Sequence, residues 1–342
     1  MKQIKTTDAV GHVLCHDMTR IIKDVSKDAA FRKGHIVTEA DIPVLLSMGK
    51  ENLFVWEKTD DMLHEDEAAA ILRKICINDN MTASEPKEGK IDLISEIDGL
   101  FLVDVERLNR INALGEMIIA TRHTNTPVKK GDKLAGTRVI PLLIDKEKMD
   151  SALAAAGETP LLQVKPFKHK KASIVVTGSE VYHGRINDAF GPVIAEKLSE
   201  YDVDILNKTI VDDDTAKITE KIFEAIRGGA DLIICTGGMS VDPDDTTPTA
   251  IKNTSARMVT YGAPVLPGAM FLLAYYETNG QSIPILGLPG CVMYAKRTIF
   301  DIVLPRVMAG DILTTEDFSV LGHGGLCLKC DVCTFPNCGF GK

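Results

Sequence analysis

From residue 172 onward the chain alternates short apolar runs with stretches that repeat apolar residues at helical spacing. ASIVVTG (172–178) is β-branched and ends in glycine, the pattern of a buried strand with a turn behind it. Residues 189–201 follow with Phe190, Val193, Ile194 and Leu198 on one helical face. VDILNKTIV (203–211) reads as the next strand, and 216–227 as a helix burying Ile218, Ile222 and Ile226 before a Gly228-Gly229 stop. The run from Asp231 to Cys235 and IPILGLPG (283–290) are two more strands with glycine exits. A last helix is predicted over 292–308, disturbed by Pro305. Repeated strand–helix units of this kind predict an α/β domain, a mostly parallel sheet in a three-layer arrangement.

The first half is patterned differently. Residues 1–60 predict a small β-rich unit closed by a helix from Glu39 to Met48, with Thr38 at its start, Gly49 at its stop, and Val44, Leu45 and Met48 on one face. Trp56, the single tryptophan, is expected to pack against this unit. A second helix is predicted over 65–77, then an exposed loop over NDNMTASEPKEGK (78–90). VKKGDKLAGTRVIPLLI (128–144) suggests a hairpin-rich element, 149–157 a short helix, and KPFKHKK (165–171) a solvated basic connector. The expected organisation is thus a 1–60 unit, a mixed α+β unit over 61–165, the α/β domain over 168–312 and a cysteine-rich tail over 320–342.

Composition narrows the field of partners. At 342 residues with 45% apolar and 25% charged residues, the chain is an ordinary globular protein of two or three domains. The formal charge of −9, with no basic patch interleaved with aromatics, argues against nucleic acid. The first residues lack the apolar core of a signal peptide and no apolar run approaches membrane-spanning length, so a cytoplasmic location without membrane association is expected. Cys15, Cys76, Cys235 and Cys291 are scattered through apolar sequence, which predicts buried thiols rather than disulfides.

Chemistry concentrates at four strand exits: TGSEVYHGRIND (177–188), VDDDT (211–215), TGGMSVDPDDT (236–246) and GLPGCV (287–292). In a parallel sheet such exits meet at one edge, where ligands bind. Gly237 and Gly238 leave backbone N–H groups open to an anion, while Asp242, Asp244 and Asp245 follow at once. Acids beside an anion site imply an intervening cation, and Glu180, Asp213 and Asp245 from three loops suit Mg²⁺ with a phosphorylated ligand. Asp213 and Asp214 would alternatively serve as caps for the helix that follows them.

In order and spacing, Thr177-Gly178-Ser179-Glu180, Gly184-Arg185-Ile186-Asn187-Asp188, Asp213, Thr236-Gly237-Gly238-Met239-Ser240 and Gly287-Leu288-Pro289-Gly290 resemble the motifs of molybdopterin-binding domains. That superfamily holds the molybdopterin molybdenumtransferases, the molybdopterin adenylyltransferases and the competence-damage-inducible proteins. The resemblance covers about 168–310. It implies catalytic and Mg²⁺-ligating roles for Asp245 and Glu180, with Asp213 as a third catalytic acid. Gly178, Ser179, Gly237, Gly238, Met239, Ser240, Asp244, Pro289 and Gly290 would lie on the cofactor side. The implied reaction is Mg²⁺-dependent insertion of molybdate into adenylylated molybdopterin with release of AMP. A homo-oligomer with its pocket near a subunit boundary is also implied. Two segments depart from the molybdenumtransferase pattern: Pro267-Gly268-Ala269-Met270 stands where that branch has PGKP, and Leu288-Pro289-Gly290-Cys291-Val292 where it has LPGNP. Those losses suit an alternative, a non-catalytic carrier that holds molybdopterin or its mature cofactor for a client molybdoenzyme. Asp244-Asp245-Thr246-Thr247 is similar instead to the competence-damage branch and suits a nucleotide pyrophosphatase.

The C-terminal segment GHGGLCLKCDVCTFPNCGFGK carries Cys327, Cys330, Cys333 and Cys338 as C-x2-C-x2-C-x4-C. Thiolates at these gaps suit an iron–sulfur cluster, Zn²⁺ or a redox-active set of thiols, and the spacing leaves these open. His12, His16 and His35 show no metal spacing, and Ser173, Ser179 and Ser240 lack a nucleophile-elbow context. His183 reads as an ordinary loop histidine, and His323, among glycines, as a solvated one.

Overall fold

The computed structural model describes residues 2–22, 26–55 and 61–342. Trp56 therefore lies outside the described residues. The chain divides into two compact units, and the first takes in both the 1–60 and the 61–165 segments apart from residues 98–100 and 125–128 and the end at Val164.

In the first unit, Lys2–Lys5 pairs antiparallel with Asn52–Val55, and Met18–Ile22 with Ser26–Phe31. The small core there gathers Ala9, Leu14, Met18, Val37, Leu45 and Leu53. The helix expected over 39–48 spans Asp41–Ser47. Its inner face is Ile42, Leu45 and Met48, while Val44, expected inside, is exposed. Ile42 and Leu45 are three residues apart and lie on one face; Val44 is rotated away from them. The helix expected over 65–77 runs Glu65–Cys76, capped by a box between His64 and Glu67. The stretch 78–90 is not all loop: Met81–Ala83 is an edge strand against Lys90–Ser95, with Met81 buried beneath it. A four-stranded antiparallel sheet contains these two strands together with Lys133–Val139 and Met117–Thr121. The short helix expected at 149–157 spans Lys146–Ala156.

The second unit is an α/β domain built on one six-stranded sheet. Its strands are β1 (Lys171–Thr177), β2 (Asp204–Val211), β3 (Leu232–Thr236), β4 (Arg257–Tyr261), β5 (Leu272–Thr278) and β6 (Gln281–Leu288). Its helices are α1 (Ser179–Tyr182), α2 (Phe190–Ser199), α3 (Thr215–Arg227), α4 (Thr247–Asn253), α5 (Ile299–Met308) and α6 (Thr315–Ser319). The spatial order is β2-β1-β3-β6-β5-β4, parallel through the first four strands and antiparallel through the β6-β5-β4 meander.

Alternation along the strands creates the layers. Ile174, Val176, Leu232, Ile234, Leu286 and Leu288 face one side, where Ile194 and Leu198 of α2 and Phe300, Val303, Leu304 and Val307 of α5 cover them. Val175, Ile233, Cys235 and Ile285 face the other, under Ile218 and Ile222 of α3 and Ala250 and Ile251 of α4. Each fully buried aliphatic side chain in these layers contributes about 1.5–3 kcal/mol.

Three expectations give way here. The last helix begins at Ile299, not at 292: Thr298 and Asp301 form a capping box, and Gly290–Met293 is a separate 3-10 turn. Asp301 also accepts from Lys197 Nζ at 2.6 Å and Arg297 Nη1 at 2.9 Å, a buried ion pair joining α2 to α5. The basic stretch 165–171 is anchored rather than solvated. Lys165 pairs with Asp311 at 2.9 Å, Phe167 stacks edge-on against Tyr201, and the backbone of Lys170 and Lys171 donates to Asp231. The segment 320–342 belongs to this unit, with Phe340 buried in its core. No helix among the described residues is long and apolar enough to cross a membrane.

Candidate functional site at the sheet edge

The register of the parallel strands brings their exits together. Thr177 pairs with Val211, Val176 with Thr236, and Thr236 with Leu288, so the four strands end flush. The loops that follow carry the residues singled out above.

The first two loops are tied by one carboxylate. Ser179 N–H donates to Asp213 Oδ2 at 2.7 Å. Asp214 does the capping instead, accepting from Ala216 and Lys217 N–H at 2.9 and 3.1 Å. Asp213 is thereby free of the helix and faces the edge. Burial pushes its pKa up, the Ser179 N–H opposes that, and the charges of Glu180, Asp212 and Asp244 push it further up. Glu180 folds back over Gly178, whose φ of 140° strains any side chain and where a Cβ would press on that carboxylate at 3.2 Å. Neither Asp213, Glu180, Asp244 nor Asp245 makes an ion pair with Lys or Arg among the described residues. These acids share one edge without basic partners, but no three of them bring ligand atoms within 4.8 Å of one another, so a divalent cation held here would have to draw them closer.

The glycine loop is held from beneath. Thr177 Oγ1 donates to Thr247 Oγ1 at 3.0 Å, and Thr247 Oγ1 donates to the Gly237 carbonyl at 2.8 Å. Gly237 has φ 89° and sits against Thr177, while Gly238 has φ 53° beside the Thr177 and Thr247 hydroxyls. From the far side Tyr261 Oη donates to the carbonyls of Met239 and Ser240, 3.0 Å from each. Met239 turns inward: its side chain is buried and fills the space that Gly287 leaves by having none. Ser240 and Gly290 are exposed, and Pro289 is buried. Asp245 Oδ2 accepts from Asp242 N–H at 2.9 Å and closes its own loop, so Asp244 is the acid of this loop whose charge reaches Asp213. The hydroxyls of Thr236 and Thr246 are buried with no hydrogen-bond partner among the described residues, which leaves polar capacity beside the loop.

Other candidates resolve simply. Asp188 caps α2 through the N–H groups of Phe190 and Gly191 and pairs with Lys208 at 2.8 Å. His183 Nδ1 lies 2.9 Å from the Ser179 carbonyl, within its own turn. Cys15, Cys76 and Cys235 are buried and Cys291 is partly buried. Burial pushes the Cys76 and Cys235 thiols up to about 12, so they are inert. In the tail, Cys327 and Cys338 pack against the domain core while Cys330 and Cys333 are exposed.

Residues 173–309 match a family model described as a probable molybdopterin binding domain. That match falls on the sheet, both helix layers and all four loops. The segment belongs to the molybdopterin-binding domain family. Residues 3–57 match a separate family described as a domain of unknown function (DUF8806). Among curated proteins, a CinA-like protein of Mycobacterium sp. (strain MCS) is 42% identical over 77 residues, 22% of this chain and 18% of the relative. A CinA-like protein of Mycobacterium avium (strain 104) is 37% identical over 95 residues, 28% of this chain and 22% of the relative. The chain thus matches about a fifth of the length of these relatives. Among solved structures, the tungsten cofactor synthesizing protein MoaB from Pyrococcus furiosus aligns with 41% of this chain and 93% of its own, at 24% identity and a TM-score of 0.36.

Two features of the molybdopterin-binding domain escaped the motif reading. Tyr261 sits in a β4–β5 hairpin remote in sequence from the loop it holds, and no local pattern marks it. Thr247 was visible in the DDTT run, but its partner Thr177 lies 70 residues upstream.

Proposed function

We propose that the domain binds a phosphate-bearing pterin at the C-terminal edge of its parallel strands and, with Mg²⁺, inserts molybdate into adenylylated molybdopterin with release of AMP. The observation that carries this reading is Asp213: an acid lifted by burial and by three neighbouring carboxylates, next to a braced glycine loop, with no basic partner among the described residues. Glu180, Asp213 and Asp244 would hold the cation, which supplies charge neutralisation between the anions that the reaction brings together. Asp213 fixes the first loop through Ser179, and Tyr261 holds the Ser240 carbonyl so that the open side of the loop faces the ligand. Asp213 must give up its proton to accept a cation, so Mg²⁺ affinity rises with pH across its raised titration range.

The test is AMP release from adenylylated molybdopterin with molybdate and Mg²⁺ supplied. Release that requires both, and falls in Asp213→Asn, is the expected result. Retention of the pterin without AMP above background would leave a carrier for a client molybdoenzyme in its place. A second reading, a nucleotide pyrophosphatase, is favoured by the likeness to CinA-like proteins together with Asp244-Asp245-Thr246-Thr247. Mg²⁺-dependent hydrolysis of ADP-ribose, with no molybdate-dependent AMP release, would select it.

A further inference from the structure

The C-terminal segment is a loop whose two ends are fastened. Leu266 N–H donates to the Gly325 carbonyl and Cys327 N–H to the Leu266 carbonyl, both at 2.8 Å, seating residues 325–327 beside Leu266. At the other end Gly341 N–H donates to the Gly324 carbonyl at 3.0 Å, and a side chain on Gly324 would collide with the Lys342 carbonyl. Between these fastenings there is no helix or strand. The stretch is held by Asn337 N–H to the Thr334 carbonyl at 2.7 Å and Lys296 Nζ to the Asp331 carbonyl at 3.1 Å.

Within the loop, Phe335 meets Phe340 edge-on with ring centroids 6.2 Å apart. Phe335, Phe340, Cys327 and Cys338 pack down onto the domain, whereas Leu328 and Val332 are 78% and 76% exposed. A segment this poor in backbone hydrogen bonds and burial cannot offset its own ordering entropy, and such segments hold their shape through cross-links or metals. The four cysteines are the groups in it capable of that, and none is in a disulfide. Cysteine is among the most buried residue types, so two exposed thiols at C-x2-C spacing have to be explained by their chemistry and not by packing.

We propose that Cys327, Cys330, Cys333 and Cys338 hold one thiophilic metal centre, Zn²⁺ or an iron–sulfur cluster, that closes this loop. Cys327 and Cys338, already seated on the core, are the fixed pair. Cys330 and Cys333 lie on the part of the loop that must draw in, since no three tail thiols lie within 4.8 Å of one another. That movement breaks almost no backbone hydrogen bonds, so its cost is small. The group of described residues that does gather at that distance, His64, Glu65 and Asp66, already has a cation: Lys33 Nζ stands 2.9 Å from both His64 Nδ1 and Asp66 Oδ2. Metal occupancy would also shape a neighbouring cavity of about 440 Å³, because Cys333 and Phe335 form one wall and Tyr294, Lys296 and Arg297, beyond the β6 exit, form another.

The experiment is metal analysis of the full chain expressed with zinc and iron available and purified without oxygen. One zinc per chain without colour, or iron with acid-labile sulfide and visible absorbance, supports the proposal and tells the two centres apart. Cys330→Ser, at an exposed position, should fold normally and lose bound metal at least about tenfold, while Cys291→Ser keeps it. Chelation should increase tryptic cleavage after Lys329 several-fold. Four freely titrating tail thiols without metal, disulfides within the tail, or full metal retention in Cys330→Ser would each overturn it.

Discussion

Three glycines in the site loops separate packing from ligand access, and alanine at each gives a ranked prediction. At Gly237 a Cβ would lie 2.7 Å from Thr177 Oγ1 and 2.8 Å from the Thr177 carbonyl carbon, closer still to its oxygen, at φ 89°. Left-handed backbone costs a non-glycine residue about 1–2 kcal/mol, and overpacking against a backbone that is pinned in the sheet adds about 1–3 kcal/mol. Gly237→Ala should therefore lose roughly 2–5 kcal/mol. At Gly238 the contacts are 3.2 Å to Thr247 Oγ1 and 3.3 Å to Thr177 Oγ1, side-chain ends that can yield, so the loss is about 1–2 kcal/mol from φ alone. At Gly290 a Cβ meets nothing within 4 Å, and alanine there should change stability by less than about 0.5 kcal/mol. Calorimetry of the full chain reads these as shifts in the α/β unit's transition, about 2–4 °C per kcal/mol for a domain of this size. If Gly290→Ala proves as destabilising as Gly237→Ala, or Gly237→Ala is silent, the packing account of this loop is wrong. If Gly290→Ala keeps full stability but loses pterin retention, its glycine serves the ligand.

Other outcomes follow from single interactions. Burial, then the charge of Asp66, pushes Glu65 up to about 7, so the native state holds a proton there that the unfolded chain gives up near pH 4.5. Stability of the first unit should fall as pH rises between those values, and Glu65→Gln should flatten that slope in a melting-temperature profile. An unchanged slope refutes the assignment. Asp301→Ala leaves Lys197, 8% exposed, without its buried partner, and should cost about 3–5 kcal/mol in urea unfolding. Tyr261→Phe removes the hydroxyl shared by the Met239 and Ser240 carbonyls, and should cost about 1 kcal/mol and weaken ligand retention while leaving the secondary structure unchanged by circular dichroism.

Much of the α/β domain was legible because its physics is local and periodic. Strand alternation in ASIVVTG and DLIICT, the helical spacing of Ile218 and Ile222, and the glycine exits each follow from a few adjacent residues. What was missed is either non-local or masked by a stronger pattern. The β5–β6 hairpin turns on Asn279-Gly280, with φ of 47° and 75°, a two-residue turn signal that the strand–helix rhythm around it overshadowed. The start of α5 was misplaced because Val292 and Met293 extend the apolar pattern upstream, while the Thr298–Asp301 capping box decides where the helix begins. In the first unit, the edge strand at Met81–Ala83 lies in a polar, breaker-rich run, and its single buried side chain gives too little periodicity to announce it.

The acids show the same limit at the level of chemistry. Composition places Asp212, Asp213, Asp214, Asp242, Asp244 and Asp245 at strand exits, yet neighbours in sequence have unlike tasks. Asp214 caps a helix, Asp213 bridges two loops, and Asp245 closes its own turn. Each assignment is set by which backbone N–H groups point at the carboxylate, and those directions come from tertiary register. A carboxylate already accepting from its own loop has less to offer a cation than one held by a neighbouring loop and surrounded by like charge. On that ground Asp213, and not Asp245, is the acid on which metal binding at this edge should depend most. Asp213→Asn should therefore depress Mg²⁺ affinity more than Asp245→Asn. The reverse order, measured by titration calorimetry with Mg²⁺ alone, would make Asp245 the principal ligand instead.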